Sequence, residues 1–180
     1  SFVKGVTDTI QDTNWKAQAD TAVTWGAKES RSEVQLLTDR ILIRVEKANG
    51  AVQFLSRDGK KLLTENPSEP RLLLDSQTWN FFAWDKNERL KSKGVLADDF
   101  MDLSTKARYI SFGQKKLRMP LVLSNKGYAI GVAARNTVLF CNVRTYGQYI
   151  YTQGTGQIDY YFIYDENQER NIEQYRNLPV

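Results

Sequence analysis

Three aspartates that lie close together, Asp98, Asp99 and Asp102, form a compact acidic group in the sequence. Carboxylates at this spacing suggest a site for a metal cation. Calcium loops add a glycine and further oxygen ligands at fixed positions, and these are absent here. We therefore expect no metal site and no cofactor. From the residues alone, the remaining interpretation is a solvated acidic loop.

The sequence also restricts the catalytic chemistry that this chain can perform. It contains no histidine and a single cysteine, Cys141. Because nucleophilic serine and cysteine sites normally depend on an adjacent base such as histidine, Ser–His and Cys–His catalysis are excluded within this chain. We expect Cys141, which lies in the apolar run of residues 138–141, to be a small buried hydrophobe. No catalytic residue is assigned.

Aromatic side chains form a second group of candidates. Trp79, Trp84 and Tyr149 carry flat rings of the kind that stack on the apolar face of a pyranose, and Tyr146 and Tyr151 are further candidates. The alternative is that most of these rings belong to the core or to a contact between domains. We favour that alternative.

Composition and charge describe an ordinary globular domain. A chain of 180 residues corresponds to about one domain and can bury a core without disulfides or metal. The formal net charge of +4 is mild, and basic residues are scattered among acidic ones, so no nucleic-acid partner is expected. No segment resembles a signal peptide or is apolar enough to span a bilayer. We therefore expect no membrane partner and favour a cytoplasmic location.

The elements that must position these side chains are almost all strands. Ile41, Ile43 and Val45 share one face by the two-residue period of a strand. Residues 125–127 form a turn between two apolar strands, in which we expect Gly127 to adopt a positive φ. Strands at regular spacing with turn residues between them predict an all-β fold, an antiparallel sandwich or barrel.

We divide the chain into three parts. Residues 1–30 are expected to be an irregular lead-in or an edge strand, residues 31–164 the β-sandwich domain, and residues 165–180 a short C-terminal helix. Asp165 is the expected N-cap, with Gln168 three residues later as in a capping box. A short amphipathic helix at this position must either cover the sandwich or lead into a further domain.

Several segments, in this order along the chain, resemble the N-terminal domain of glycoside hydrolase family 31, the retaining α-glucosidases, α-xylosidases and their relatives. The segments are residues 38–45, 50–65, 119–130, 156–164 and 173–178. The third resembles a hairpin of the family in which an apolar strand with a proline is followed by Ser and Lys-Gly-Tyr. The last two resemble the strand and the helix that precede the catalytic barrel.

The resemblance implies a galactose-mutarotase-like β-sandwich that is not itself catalytic and packs on a (β/α)8 barrel of the same parent chain. Retaining hydrolysis uses two carboxylates about 5 Å apart, which the family carries in that barrel. The resemblance places Asp98, Asp99 and Asp102 where a loop reaches the sugar subsite. However, the usual aromatic-Gly-x-Gly segment before this loop is here Ser-Lys-Gly-Val, residues 92–95. The expected partners are the barrel, an α-glucoside or related oligosaccharide, and a second copy of the chain.

Two other functions are compatible with parts of the sequence. An independent carbohydrate-binding module would hold glycans through the exposed aromatic rings named above. A stand-alone sugar epimerase of the mutarotase type is suggested by the fold alone, which is weak evidence for function. Such enzymes use histidine with a carboxylate, and the absence of histidine argues against this chemistry.

Overall fold

The computed structural model of the chain describes residues 2–3, 24–94, 100–110, 118–133, 137–153 and 157–178. These residues form seventeen strands and one nine-residue helix. All the strand pairs in the described part are antiparallel, from the first hairpin to the last. The predicted all-β sandwich with a short C-terminal helix is therefore confirmed.

The strands form three five-stranded sheets and one two-stranded ribbon. Sheet I consists of β2 (Gly26–Glu29), β3 (Glu33–Leu37), β4 (Ile41–Glu46), β5 (Val52–Ser56) and β6 (Lys61–Thr64). Sheet II has the order β10 (Phe100–Asp102), β9 (Leu90–Gly94), β12 (Arg118–Ser124), β13 (Tyr128–Val132) and β17 (Tyr160–Tyr164). Sheet III has the order β11 (Ala107–Tyr109), β14 (Val138–Val143), β15 (Gly147–Gln153), β8 (Gln77–Phe81) and β7 (Arg71–Leu74). The ribbon pairs β1 (Phe2–Val3) with β16 (Gln157–Ile158).

One apolar core draws side chains from all three sheets. Phe54 of sheet I stacks on Phe162 of sheet II with ring centroids 4.0 Å apart, and Trp84, just after β8, contacts Phe140 of sheet III at 4.9 Å. The most deeply buried members are Leu62, Leu90, Leu103, Ile110, Val122, Tyr128, Ile130, Val138 and Phe140. Because each large ring adds considerable buried area, this shared core joins the sheets into one packing unit.

The outer face of sheet II is covered by helix α1 (Gln168–Arg176). Ile172 and Tyr175 of the helix pack on Leu121, Leu123, Ala129 and Ile163 of the sheet. The ring of Tyr175 lies directly over Gly131, where a Cβ atom would come within 2.4 Å of it. A glycine at this position of β13 is therefore what allows the helix to approach the sheet.

The helix begins later than the sequence analysis expected. Asn167, and not Asp165, is the N-cap, and its side chain accepts a hydrogen bond from the backbone nitrogen of Glu169 at 2.9 Å. The expectation for Asp165 was wrong because its backbone nitrogen donates to the Gly127 carbonyl at 3.0 Å, which keeps it in the extension of β17. Its carboxylate instead accepts from the Asn167 nitrogen and shapes the turn before the helix.

Two smaller expectations are confirmed. Gly127 adopts a φ of 84°, in the left-handed region that its turn requires. Cys141 is buried, with 1% of its surface exposed, in the middle of β14. In the described part of the chain, no helix has the length and apolar character needed to cross a membrane.

Asp159, in the link between β16 and β17, should make the stability of the fold depend on pH. Burial raises the pKa of its carboxyl group above the ordinary value. Its folded pKa therefore exceeds its unfolded pKa. At low pH the carboxyl group is protonated in both states and costs the fold nothing, and the stability associated with this group is lost as pH rises from about 4 through the folded pKa. We expect Asp159→Asn to raise Tm at pH 7 and to leave it unchanged near pH 3.

Thermal unfolding followed by circular dichroism at both pH values checks this expectation. The matched control is Asp39→Asn, at an exposed turn position, which should change Tm little at either pH. An Asp159→Asn variant with the same Tm as wild type at pH 7 would contradict the inferred cost of the partly buried carboxylate.

Candidate functional site

The acidic group is described only in part. Asp98 and Asp99 lie outside the described residues. Asp102 ends β10, where its Oδ1 accepts a hydrogen bond from the backbone nitrogen of Ser104 at 3.0 Å and its Oδ2 lies 3.1 Å from Lys106 Nζ. The Ser104 nitrogen, followed by Lys106, lowers the pKa of Asp102 below its ordinary value. Asp102 is therefore an ionised and exposed hydrogen-bond acceptor.

A surface groove of about 360 Å³ lies beside Asp102. The register of β9 and β10 pairs Lys93 with Phe100 and Lys91 with Asp102, so these four side chains share one face. The ammonium groups of Lys91 and Lys93 lie 4.1 and 4.3 Å from the centroid of the Phe100 ring, within the range of a cation–π contact. Further lining comes from Arg89, Asn125 and Gln168.

This groove is suited to recognition rather than to bond cleavage. It combines an aromatic ring that is 42% exposed, Phe100, with a carboxylate acceptor, Asp102, and side-chain amides. These are groups that can contact the ring and the hydroxyls of a sugar. Asp102 is paired with a lysine and its pKa is lowered, whereas a general acid in a glycosidase needs a raised pKa.

The aromatic candidates differ in their surroundings. Trp84 is 5% exposed and lies in the core between Phe82 and Phe140, with ring centroids 4.8 and 4.9 Å away. The prediction of sugar stacking was therefore wrong for Trp84, because no face of its ring is open to a ligand. Trp84 lies shortly after β8, and its side chain points inward and packs in the core.

Trp79 and Tyr149 lie instead on the outer face of sheet III and are half-buried. Trp79 contacts Tyr151 at 4.9 Å with the rings tilted by 50°, and Tyr149 meets Phe81 at 5.8 Å with the rings 71° apart. The four rings therefore lie on one face but do not form one flat platform. Leu72 and Leu74 of β7 extend this apolar face and are 41% and 53% exposed.

A buried carboxylate that the sequence analysis did not single out holds the three sheets together. Glu65 is completely buried, just after β6, and both of its oxygens accept hydrogen bonds. Oε2 accepts from the Val52 backbone nitrogen at 2.8 Å and from the guanidinium of Arg71. Oε1 accepts from Asn80 at 3.2 Å and from the Tyr160 hydroxyl at 2.8 Å. Its donors come from β5, β7, β8 and β17.

A second buried carboxylate, Glu88, lies in the segment between β8 and β9. It accepts hydrogen bonds from the hydroxyls of Ser124, at 2.6 Å, and Tyr128, and it lies 3.0 Å from Lys126 Nζ. Burial, followed by the Glu88 charge, raises the pKa of Tyr128 well above its ordinary value, so this hydroxyl remains a donor. Glu88 therefore fixes the loop before β9 to the β12–β13 hairpin.

The sequence contained different signals for these two carboxylates. Glu65 follows the buried pair Leu62 and Leu63 at the end of a strand, where an acid in a core position indicates a buried partner. Glu88 lies within the polar stretch of residues 85–93, and nothing in its neighbours distinguishes it from a surface acid. In the described ranges, no group of three or more cysteine or acidic side chains is placed to hold a metal ion.

Comparison with known proteins gives matches in structure alone. No protein-family model matches the chain, and no curated protein matches it in sequence. The chain is similar to a GH31 dextranase from Flavobacterium johnsoniae complexed with glucose, with a TM-score of 0.71 and 20% identity. It is also similar to a GH31 α-xylosidase from a soil metagenome complexed with xylose (0.73, 17%) and to a cycloalternan-forming enzyme from Listeria monocytogenes (0.69, 17%).

These matches cover most of this chain and a small part of each relative. They span 87%, 96% and 85% of this chain, but 20%, 29% and 16% of the dextranase, the xylosidase and the cycloalternan-forming enzyme. The chain therefore spans less than a third of the length of the structures that it matches. Its fold is the fold of one segment of glycoside hydrolase family 31 enzymes, which confirms the resemblance inferred from the sequence.

Proposed function

We propose that this chain is the non-catalytic N-terminal β-sandwich domain of a retaining α-glycosidase. In this proposal it packs on the catalytic barrel of the same parent chain and contributes residues 95–102 to the sugar subsite. The observation that carries the proposal is the coverage of the structural matches, 85–96% of this chain against 16–29% of the glycosidases. The parent enzyme would cleave an α-glucoside or a related oligosaccharide.

The hydrogen bonds and ion pairs of the described carboxylates favour a structural role for this chain over a catalytic one. The buried carboxylates Glu65 and Glu88 are saturated by structural donors. Asp102 is exposed and paired with Lys106. A retaining hydrolase needs a nucleophile and an acid/base about 5 Å apart, and in this proposal the barrel supplies both.

The segment of residues 95–102 is the proposed contact with substrate. In this proposal Asp98, Asp99 or Asp102 accepts hydrogen bonds from sugar hydroxyls; of the three, Asp102 lies in the groove that Phe100 and Lys91 line. A charge-assisted hydrogen bond to a ligand contributes about 1.5–3 kcal/mol. We therefore expect Asp98→Ala, Asp99→Ala and Asp102→Ala in the complete enzyme to lower kcat/KM by about 10- to 100-fold for the residue that touches sugar.

Steady-state kinetics with isomaltotriose and p-nitrophenyl α-glycosides measures this effect. Asp39→Ala, an acid at an exposed turn of sheet I, is the matched control and should leave kcat/KM unchanged. Unchanged kinetics in all three variants would remove this segment from the proposal. The proposal that the chain is a domain of a glycosidase would stand independently of that result.

A second candidate function is an independent carbohydrate-binding module. It is supported by the apolar outer face of sheet III, where Trp79 and Tyr149 lie beside Tyr151 and Phe81. Aromatic rings on a sheet face suit stacking against pyranoses. The same face equally suits contact with another domain of the parent chain, because exposed apolar patches mark interaction sites of both kinds.

A further inference from the structure

A small cavity lies inside the sandwich, where sheet III meets the end of β13 and the link between β16 and β17. Its described polar lining comes from Thr78 and Asn80 of β8, Thr152 of β15, and Asp159 and Tyr160. The cavity has a volume of about 20 Å³. On the same measure one water molecule needs about 10–15 Å³, so the cavity has room for a single occupant of that size.

The side-chain amide of Asn80 has an orientation that its hydrogen bond determines. Asn80 is 3% exposed, and its Nδ2 donates to Glu65 Oε1 at 3.2 Å. As the partner of the Arg71 guanidinium, the Glu65 carboxylate accepts hydrogen bonds and donates none. A flipped amide would direct its own oxygen at this carboxylate. The nitrogen of the amide therefore faces Glu65, and the oxygen faces away from it.

This orientation leaves the amide oxygen of Asn80 without a donor. Asn80 Oδ1 is buried, and no donor among the described residues lies within hydrogen-bonding distance of it. The large majority of buried polar atoms in native proteins are paired with protein or with ordered water, and an unpaired one is costly. Because Asn80 lines the cavity, an occupant of the cavity can supply the donor that this oxygen lacks.

The side chains around Asn80 add one donor and a second acceptor. Thr78 and Thr152 are cross-strand partners, and their hydroxyls form a hydrogen bond with each other. Each hydroxyl carries one hydrogen, so this bond uses one of the two and leaves the other to be donated. Asp159 contributes a half-buried carboxylate, which accepts. The cavity therefore suits an occupant that donates twice and accepts once.

We propose that this cavity binds one water molecule as an internal part of the fold. The water donates to Asn80 Oδ1 and to the Asp159 carboxylate, and it accepts from the threonine pair. Three hydrogen bonds to groups that otherwise lack partners are typical of a buried water. A monovalent cation suits the cavity less well, because it would lose its hydration shell while Phe82, Val132 and Ile150 in the lining offer it no side-chain oxygen.

This water joins sheet III to the chain that enters β17. Its partners lie in β8 and β15 on one side and in the link between β16 and β17 on the other. Asn80 and Tyr160, which both line the cavity, also donate to Glu65. The water therefore extends the buried polar contacts of Glu65 as far as Asp159.

The proposal is tested by a crystal structure of the 180-residue chain at a resolution that shows ordered water. We expect a fully occupied density peak in the cavity, at about 2.6–3.0 Å from Asn80 Oδ1, the distance of a hydrogen bond between two oxygens. A second crystal, soaked in rubidium chloride, distinguishes water from a cation. It should show the same peak and no anomalous signal from rubidium at this position.

A variant tests whether the amide oxygen holds the water. Asn80→Leu keeps the approximate shape of the side chain and removes the acceptor, so the occupancy of the peak should fall from full to none. Glu65 keeps its other donors, Val52, Arg71 and Tyr160, in this variant. Gln153→Leu is the matched control, since it removes an exposed amide from β15 and should leave the peak unchanged.

Three results would overturn the proposal: a wild-type cavity without density, an anomalous rubidium peak in it, or an undiminished water peak in the folded Asn80→Leu variant. The first would show a dry cavity, the second a cation site, and the third a water that the amide oxygen does not hold. If the variant does not fold, the two maps of the wild-type chain decide by themselves. The proposal does not rest on the function proposed above, because the cavity lies within the described residues and involves no other domain.

Discussion

Replacing Glu65 with alanine should lower the free energy of unfolding by about 3–5 kcal/mol, the range measured when one partner of a buried ion pair is removed. Glu65 is completely buried, and Val52, Arg71, Asn80 and Tyr160 direct donors at its two oxygens. Without the carboxylate these donors lose their common acceptor in a place that water reaches poorly. Urea denaturation followed by circular dichroism measures the change.

A matched acid and a double variant make this expectation specific. Glu46→Ala removes an exposed glutamate from β4 of the same sheet and should cost less than about 0.5 kcal/mol. The double variant Glu65→Ala with Arg71→Ala should cost clearly less than the sum of the single variants. The second substitution removes the guanidinium that loses its carboxylate acceptor in Glu65→Ala. A loss below about 1 kcal/mol for Glu65→Ala, the size of an ordinary surface effect, would contradict the account.

Adding one methyl group at Gly131 should have the second largest effect. A Cβ atom there would lie 2.4 and 2.5 Å from two carbons of the Tyr175 ring, so helix α1 must move away from sheet II. Overpacking of this kind costs about 1–3 kcal/mol. We expect Gly131→Ala to destabilise the chain by this amount, with increased amide hydrogen exchange in α1.

The cause can be isolated with Tyr175→Ala. This variant loses the packing of the ring, and in its background Gly131→Ala should cost almost nothing, because the clash partner is absent. Gly26→Ala is the matched glycine control, since a Cβ there meets no atom within 4 Å and its φ lies outside the left-handed region. Equal costs of Gly131→Ala with and without the Tyr175 ring would show that the ring is not the reason.

The fold could be predicted from the sequence because its signals are local. Alternation in β4 and the glycine turn at Gly127 were sufficient to predict strands and their connections. The helix boundary was predicted two residues too early, since Asp165 and Asn167 are both good caps in isolation. The choice between them depends on the hydrogen bond from Asp165 to the carbonyl of Gly127, which joins residues distant in sequence.

The candidate site was harder to predict because burial and pairing are long-range properties. Trp79 and Trp84 are both tryptophans near β8, yet one lies on the outer face of sheet III and the other in the core. The hydrogen-bond donors to Glu88 lie in the β12–β13 hairpin, 36 to 40 residues further along the chain.

Our central proposal is that this chain belongs to a larger enzyme whose bond-cleaving chemistry lies outside residues 1–180. Its most direct test is to sequence the gene downstream of the codon for Val180. We expect an open reading frame that encodes a (β/α)8 barrel with two catalytic carboxylates placed for retaining hydrolysis. A stop codon directly after Val180, in a protein made at this length, would contradict it.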